Sequence, residues 1–136
     1  MEPLLGQNFL FAGDFAPKGY AFCNGQLYAI AQNAALFSIL GTTYGGDGVT
    51  TFALPDLRGR VPVGWGQGPG LTERQLGESY GSETLSERTV GVVAGPALPK
   101  APIASVDAGG DQPSTLPPSL GISFIIATDG VYPSRG

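Results

Sequence analysis

The residues of this 136-residue chain with the most chemical potential gather in TTYGGDGVTTFALPDLRGR, residues 42–60. A glycine loop that cradles phosphate needs G-x-x-x-x-G-K-[ST]. Gly41 and Gly46 have that spacing, but Asp47-Gly48 follows. No lysine meets a phosphate there, and the carboxylate repels one. A calcium loop needs several oxygen ligands, and Asp47 is the one carboxylate between Thr42 and Leu54. The remaining reading is a scaffold corner: Tyr44, Gly45, Gly46, Asp47 and Gly48 turn the chain, and PDLRGR shapes the next bend. Pro55 fixes φ, Asp56 closes an Asx-turn, and Gly59 takes a φ that other residues avoid. Of Arg58 and Arg60, one is expected to fold back on Asp56 or on backbone carbonyls while the other points outward. A buried charge-assisted network there would lock the corner.

Elsewhere the chemistry is thin. Histidine is absent and Cys23 is the one cysteine, which removes Ser-His-Asp and Cys-His catalysis and most zinc sites. A glycosidase needs two converging carboxylates. Nothing in the spacing of Asp14, Asp47, Asp56, Glu73, Glu78, Glu83 and Glu87 brings two together, so they read as solvated groups and turn caps. The expectation is no catalysis, no cofactor and no metal. Cys23 reads as a small buried hydrophobe, since no histidine or nearby lysine lowers its pKa. Trp65, in the glycine-rich GWGQG, could stack on a sugar face together with Tyr44 and Tyr80. Packing of Trp65 against its own domain is the plainer expectation.

The elements that must position these residues are short. Glycine and proline make up a quarter of the chain, yet hydrophobic residues are 42% and charged residues 13%. That composition excludes a disordered chain and favours a mainly β fold with many tight turns. The net charge of −4 comes with seven scattered basic residues. No basic stripe exists to neutralise phosphates, so neither nucleic acid nor an anionic membrane surface is an expected partner. The N-terminus carries Glu2 where a Sec signal needs positive charge, and Pro3 and Gly6 interrupt its apolar run, so no such signal is expected. No stretch approaches the ~18 apolar residues of a membrane span.

Along the chain, residues 7–12 read as a strand closed by Gly13-Asp14. Asn24-Gly25 lies between YAFC and QLYAI, which predicts a hairpin with φ > 0 at both turn residues. Residues 33–40 read as one short helix, capped by Asn33 and stopped by Gly41, with Leu36, Phe37 and Leu40 sharing the face that covers the hairpin. Residues 49–54 read as a strand ended by Pro55, and Arg60–Val63 as a second extended piece. A strand is expected over 83–94 and a Pro/Gly-rich connector over 95–121. GISFIIATDGVYPSR returns to strand, with a turn at Asp129-Gly130.

These residues carry a family resemblance. The motifs FAG.FAP.G, CNGQ, QN.ALFS.LG, TTYGGDG and PDLRGR, together spanning residues 6–63, closely resemble the phage tail collar domain of the microcystin-dependent protein group. SF.IA..G.YPSR, residues 123–135, resembles the family's closing strand. The resemblance implies a small collar fold, mainly β with one short helix, assembled as a trimer on short tail fibres, with a structural or receptor-facing role. Relatives often hold a metal through an LPxHxHx motif. The corresponding GSETLSERTVGVVAGPALPKAP has no histidine, so neither that metal nor a receptor-binding head is carried over.

The expected organisation is a collar-like core over 1–82 and a shortened C-terminal region over 83–136. The expected function is a non-enzymatic subunit that associates with itself as a trimer, other homo-oligomer or filament, on a virion tail or a cell surface. Phe124, Ile125, Ile126 and Tyr132 are expected at contacts between subunits. Asn24, Gly25 and the residues of the two corners are expected in the scaffold or its interfaces. The alternative is an adhesin-like module that binds surface carbohydrate through Trp65.

Overall fold

Short apolar runs separated by glycine and proline fold locally, and distant segments then complete them. The structure is a computed structural model describing residues 2–84 and 113–136. Strands β1 (Asn8–Phe11), β2 (Tyr20–Phe22) and β3 (Leu27–Ala29) lead into a single 3-10 turn over Ile30–Gln32. Helix α1 (Ala34–Leu40), β4 (Thr51–Ala53) and β5 (Ser123–Ala127) follow. Mainly β with one short helix is therefore the architecture of the described residues.

One sheet has the order β1-β5-β2, antiparallel throughout. β5 is apolar along Phe124–Ala127 because it is hemmed in on both edges: Ile126 pairs with Asn8 on one side and with Ala21 on the other. A second sheet joins β3 to β4, with Tyr28 opposite Phe52. Leu5, Ala21, Cys23, Leu36, Phe52, Leu54 and Ile126 form the shared core. Burying each large apolar side chain of that set stabilises the fold by about 1.5–3 kcal/mol.

The expected hairpin at Asn24-Gly25 does not form. β2 pairs with β5 and β3 pairs with β4, so the two runs flanking the turn belong to different sheets. Only Gly25 has positive φ. Asn24 instead bridges Asp56, and Gly25 N–H donates to the Pro55 carbonyl at 3.1 Å. The turn signal is local, and long-range pairing of both strands overrides it. Gln26 secures the crossing: its Nε2 donates to Phe22 O at 2.9 Å, and its Oε1 accepts from Asn24 N–H at 3.2 Å.

Helix α1 lies where the sequence puts it, with Leu36 buried and Gly41 at φ 56° at its end. Asn33 does not cap it through its side chain; Nδ2 donates back to Ala29 O at 3.0 Å. The helix meets β4 through Phe37, which tilts against Phe52 with ring centres 5.5 Å apart, and Leu36 shares the core with Phe52.

β4 ends at Ala53 before Pro55, as expected, whereas Val61 and Val63 are exposed and belong to no strand. The N- and C-terminal segments are laced together: Leu5 N–H donates to Val131 O at 2.8 Å and Val131 N–H to Pro3 O at 2.9 Å. By contacts the chain divides into Met1–Glu78 with Gly121–Gly136, and Ser79–Leu120. Within the latter, Thr84 bridges Ser114, and Thr115 N–H donates to Glu83 O at 3.0 Å. The strand expected over 83–94 lies almost wholly outside the described residues, as does most of the connector over 95–121. Among the described residues no helix is long and apolar enough to cross a membrane.

Candidate functional site

The glycine-rich stretch does cradle an anion, and the anion is its own Asp47. After α1 the chain turns through Gly45, Gly46 and Gly48, all with positive φ, and this brings three successive backbone N–H groups onto one carboxylate oxygen. Asp47 Oδ1 accepts from Val49 and Thr50 at 2.8 Å each and from Thr51 at 2.9 Å. Asp47 Oδ2 accepts from Thr50 Oγ1 at 2.8 Å. These donors hold the Asp47 carboxyl far below the usual carboxylate range, with the Thr51 N–H contributing most. A phosphate or a second carboxylate would have to displace a covalently tethered anion. The loop also serves as an edge for β4: Ala53 N–H donates to Gly45 O at 3.1 Å, and Gly48 N–H to Thr51 O at 2.9 Å.

The second corner closes on Asp56. Arg58 Nε reaches Oδ1 and Nη2 reaches Oδ2, both at 2.8 Å, a bidentate fork. Arg58 N–H also donates to Oδ1 at 3.2 Å, forming the Asx-turn. The pair is not buried: the side chains are 67% and 44% exposed, so water screens it and it contributes little to stability. Hydrogen bonds from Arg58 lower the Asp56 carboxyl to about 2. Arg60 forms no ion pair among the described residues.

Acid titration follows from these two corners. A carboxyl held below its ordinary value adds stability that is fully present above about pH 4 and is lost as pH falls through the folded value. The Asp56 contribution is therefore lost between about pH 4 and about 2. The Asp47 contribution starts to fall at the same upper limit and goes on falling at still lower pH. Asp56→Asn should flatten the stability curve slightly between about pH 4 and 2, and Asp47→Asn should flatten it there and below. Chemical denaturation at stepped pH checks both.

Cys23 is 2% exposed, and its Sγ contacts Asn8 Oδ1 at 3.4 Å. Burial pushes its thiol up to about 11. The folded protein should resist thiol reagents at neutral pH and react fully once denatured, as labelling followed by mass measurement will show. Burial likewise raises the Tyr44 hydroxyl, with a smaller push from Cys23. Among the described residues no three His, Cys, Asp or Glu come together as a metal cluster.

The other expected site residues scatter. Ile125 and Ile126, expected between subunits, are 4% and 0% exposed within their own chain. Both are consumed by the sheet that β5 completes, and Phe124 packs partly against the core. Tyr132 is exposed, with its hydroxyl 2.7 Å from Ser38 Oγ on α1.

Trp65 does not pack into its own domain; it is 67% exposed. It stands on an arm, residues 60–77, that leaves the second corner and returns where Gly77 packs against Thr43. A Cβ on Gly77 would lie 2.5 Å from the Thr43 carbonyl oxygen. Midway, Gly66 and Arg74 exchange both backbone hydrogen bonds, at 2.7 and 3.0 Å. Val61, Val63, Leu71 and Leu76 on the same arm are also exposed. The alternation Val61, Val63, Trp65 is the sequence signal that marks this arm.

Two glycine-bearing corners, each closed by its own carboxylate, thus accompany two small sheets and one helix. Residues 6–62 match the family model of the phage tail collar domain. No curated protein matches the chain.

Proposed function

We propose that the protein is a non-enzymatic structural subunit of a phage tail fibre that associates with copies of itself on the virion tail. The observation that carries this reading is the balance of apolar surface. Among the described residues sixteen large hydrophobic side chains are exposed, whereas ten hydrophobic residues are buried. Five of the exposed ones sit on the arm over residues 60–77. Association is the natural way to cover those five, which follow one another along a single arm, and small cores gain stability from assembly. The carboxylates that might have done chemistry in the glycine stretch are occupied by their own chain, which favours a scaffold over a catalyst. Negative-stain microscopy of the purified protein should show uniform oligomers or fibres. Fields without any particle larger than a single small domain would overturn the reading.

A second reading rests on exposed Trp65 alone, a platform for a sugar face on the cell surface. A glycan array that lights up with the parent chain and goes dark with Trp65→Ala would favour it.

A further inference from the structure

We propose that Val61–Trp65 is a self-pairing strand, joining antiparallel to the same segment of a second copy with Val63 at the centre. This inference rests on the self-association reading and names the surface and register of one contact.

The backbone of the arm sets the geometry. Gly66 N–H points at Arg74, whose carbonyl accepts it at 2.7 Å. No peptide bond among the described residues is cis, so the Trp65 carbonyl points the opposite way, off the free edge. In an extended segment alternate residues present their N–H and C=O to the same edge, so Val63 and Val61 face that edge too. None of the three makes a backbone hydrogen bond among the described residues. Proline at 62 holds Val61 in extended backbone, and no residue from Arg60 to Trp65 has positive φ.

The occupant follows from the sequence of the segment, RVPVGW. Centred on Val63, Val61 of one chain meets Trp65 of the other, an aromatic–β-branched cross-strand pair of the favourable kind. Val63 meets Val63. Pro62 meets Gly64, where the proline ring faces a residue without a side chain. The hydrogen-bonded pairs fall on residues 61, 63 and 65, so the donor that Pro62 lacks lies on the other edge and costs nothing. Arg60 falls opposite Gly66, so no like charges oppose each other.

Side-chain exposure supports the same pairing. Val61, Val63 and Trp65 are 75, 59 and 67% exposed, and in this register all six side chains line one face of the ribbon. The contact is isologous, as a two-fold contact between identical chains must be. It is a strand addition in which one segment is both donor and acceptor, and it closes an edge that would otherwise invite indiscriminate pairing.

Cysteine cross-linking of the full chain tests the register. Residues directly opposite lie about 5.5 Å apart, within the ~4.4–6.8 Å range of a disulfide. The two copies of Val61 are offset by four residues, about 13 Å, and cannot bridge. Under mild oxidation most of a Val63→Cys chain should run as a covalent dimer. Val61→Cys should stay at the background of the parent chain, whose own Cys23 is buried. A mixture of Val61→Cys and Trp65→Cys chains should give heterodimer. A Val63→Cys chain that is oligomeric by light scattering yet does not cross-link overturns this proposal and leaves self-association standing. A chain that is monomeric by light scattering and does not cross-link overturns both.

Discussion

Gly46→Ala is expected to cost about 4 kcal/mol or more, a large share of the ~5–15 kcal/mol stability of a typical domain. Gly46 has φ 95°, a conformation that L side chains rarely adopt. A Cβ there would lie 2.7 Å from Thr51 O, 2.9 Å from Phe52 N, and closer still to Phe52 Cα. These are backbone atoms of the strand bearing Phe52, so no side-chain rotation relieves the clash. The alternative is to push the loop off β4, which breaks the Ala53 N–H···Gly45 O bond and shifts the amides that hold Asp47. Urea unfolding of the variant should show a large fall in midpoint or no transition. An unfolding free energy within ~0.5 kcal/mol of the parent would contradict the reading of this loop as a rigid corner.

The second large effect distinguishes core from interface. Ile126 is 0% exposed and lies in the central strand of its sheet, opposite both Asn8 and Ala21. Ile126→Asp would bury an unpaired carboxylate in the shared core, at a cost of several kcal/mol that rivals the ~5–15 kcal/mol stability of a typical domain. The variant should lose its near-ultraviolet circular dichroism and expose Cys23 to thiol reagents. A residue serving only contacts between subunits would behave differently and give a folded monomer. That outcome would contradict the placement of β5 between β1 and β2.

Much of the local structure is legible in the sequence, because its signals are local. Asn33 and Gly41 bracket the helix, and Leu36, Phe37 and Leu40 mark its buried face. Pro55 marks the end of β4, and the Asp56–Arg58 spacing marks an Asx-turn that an arginine can close. What the sequence obscures is partnership. Asn24-Gly25 reads as a hairpin because nothing nearby reveals that β2 is claimed by a strand a hundred residues away. Ile125 and Ile126 read as contact surface for the same reason: a central strand and an exposed apolar strand are spelled alike. Asp47 reads as a residue that repels phosphate. It is also the anion that the glycine turn holds, a role signalled by the two threonines that follow Val49. Exposure is obscured as well, so the Asp56–Arg58 pair and Trp65 both lie farther out than their motifs suggest.

The proposed joining of copies of this chain is tested most directly by molar mass from light scattering over a dilution series. The expected result is a whole multiple of the 13.9 kDa chain mass that persists as the protein is diluted. A mass of 13.9 kDa at every concentration would contradict it.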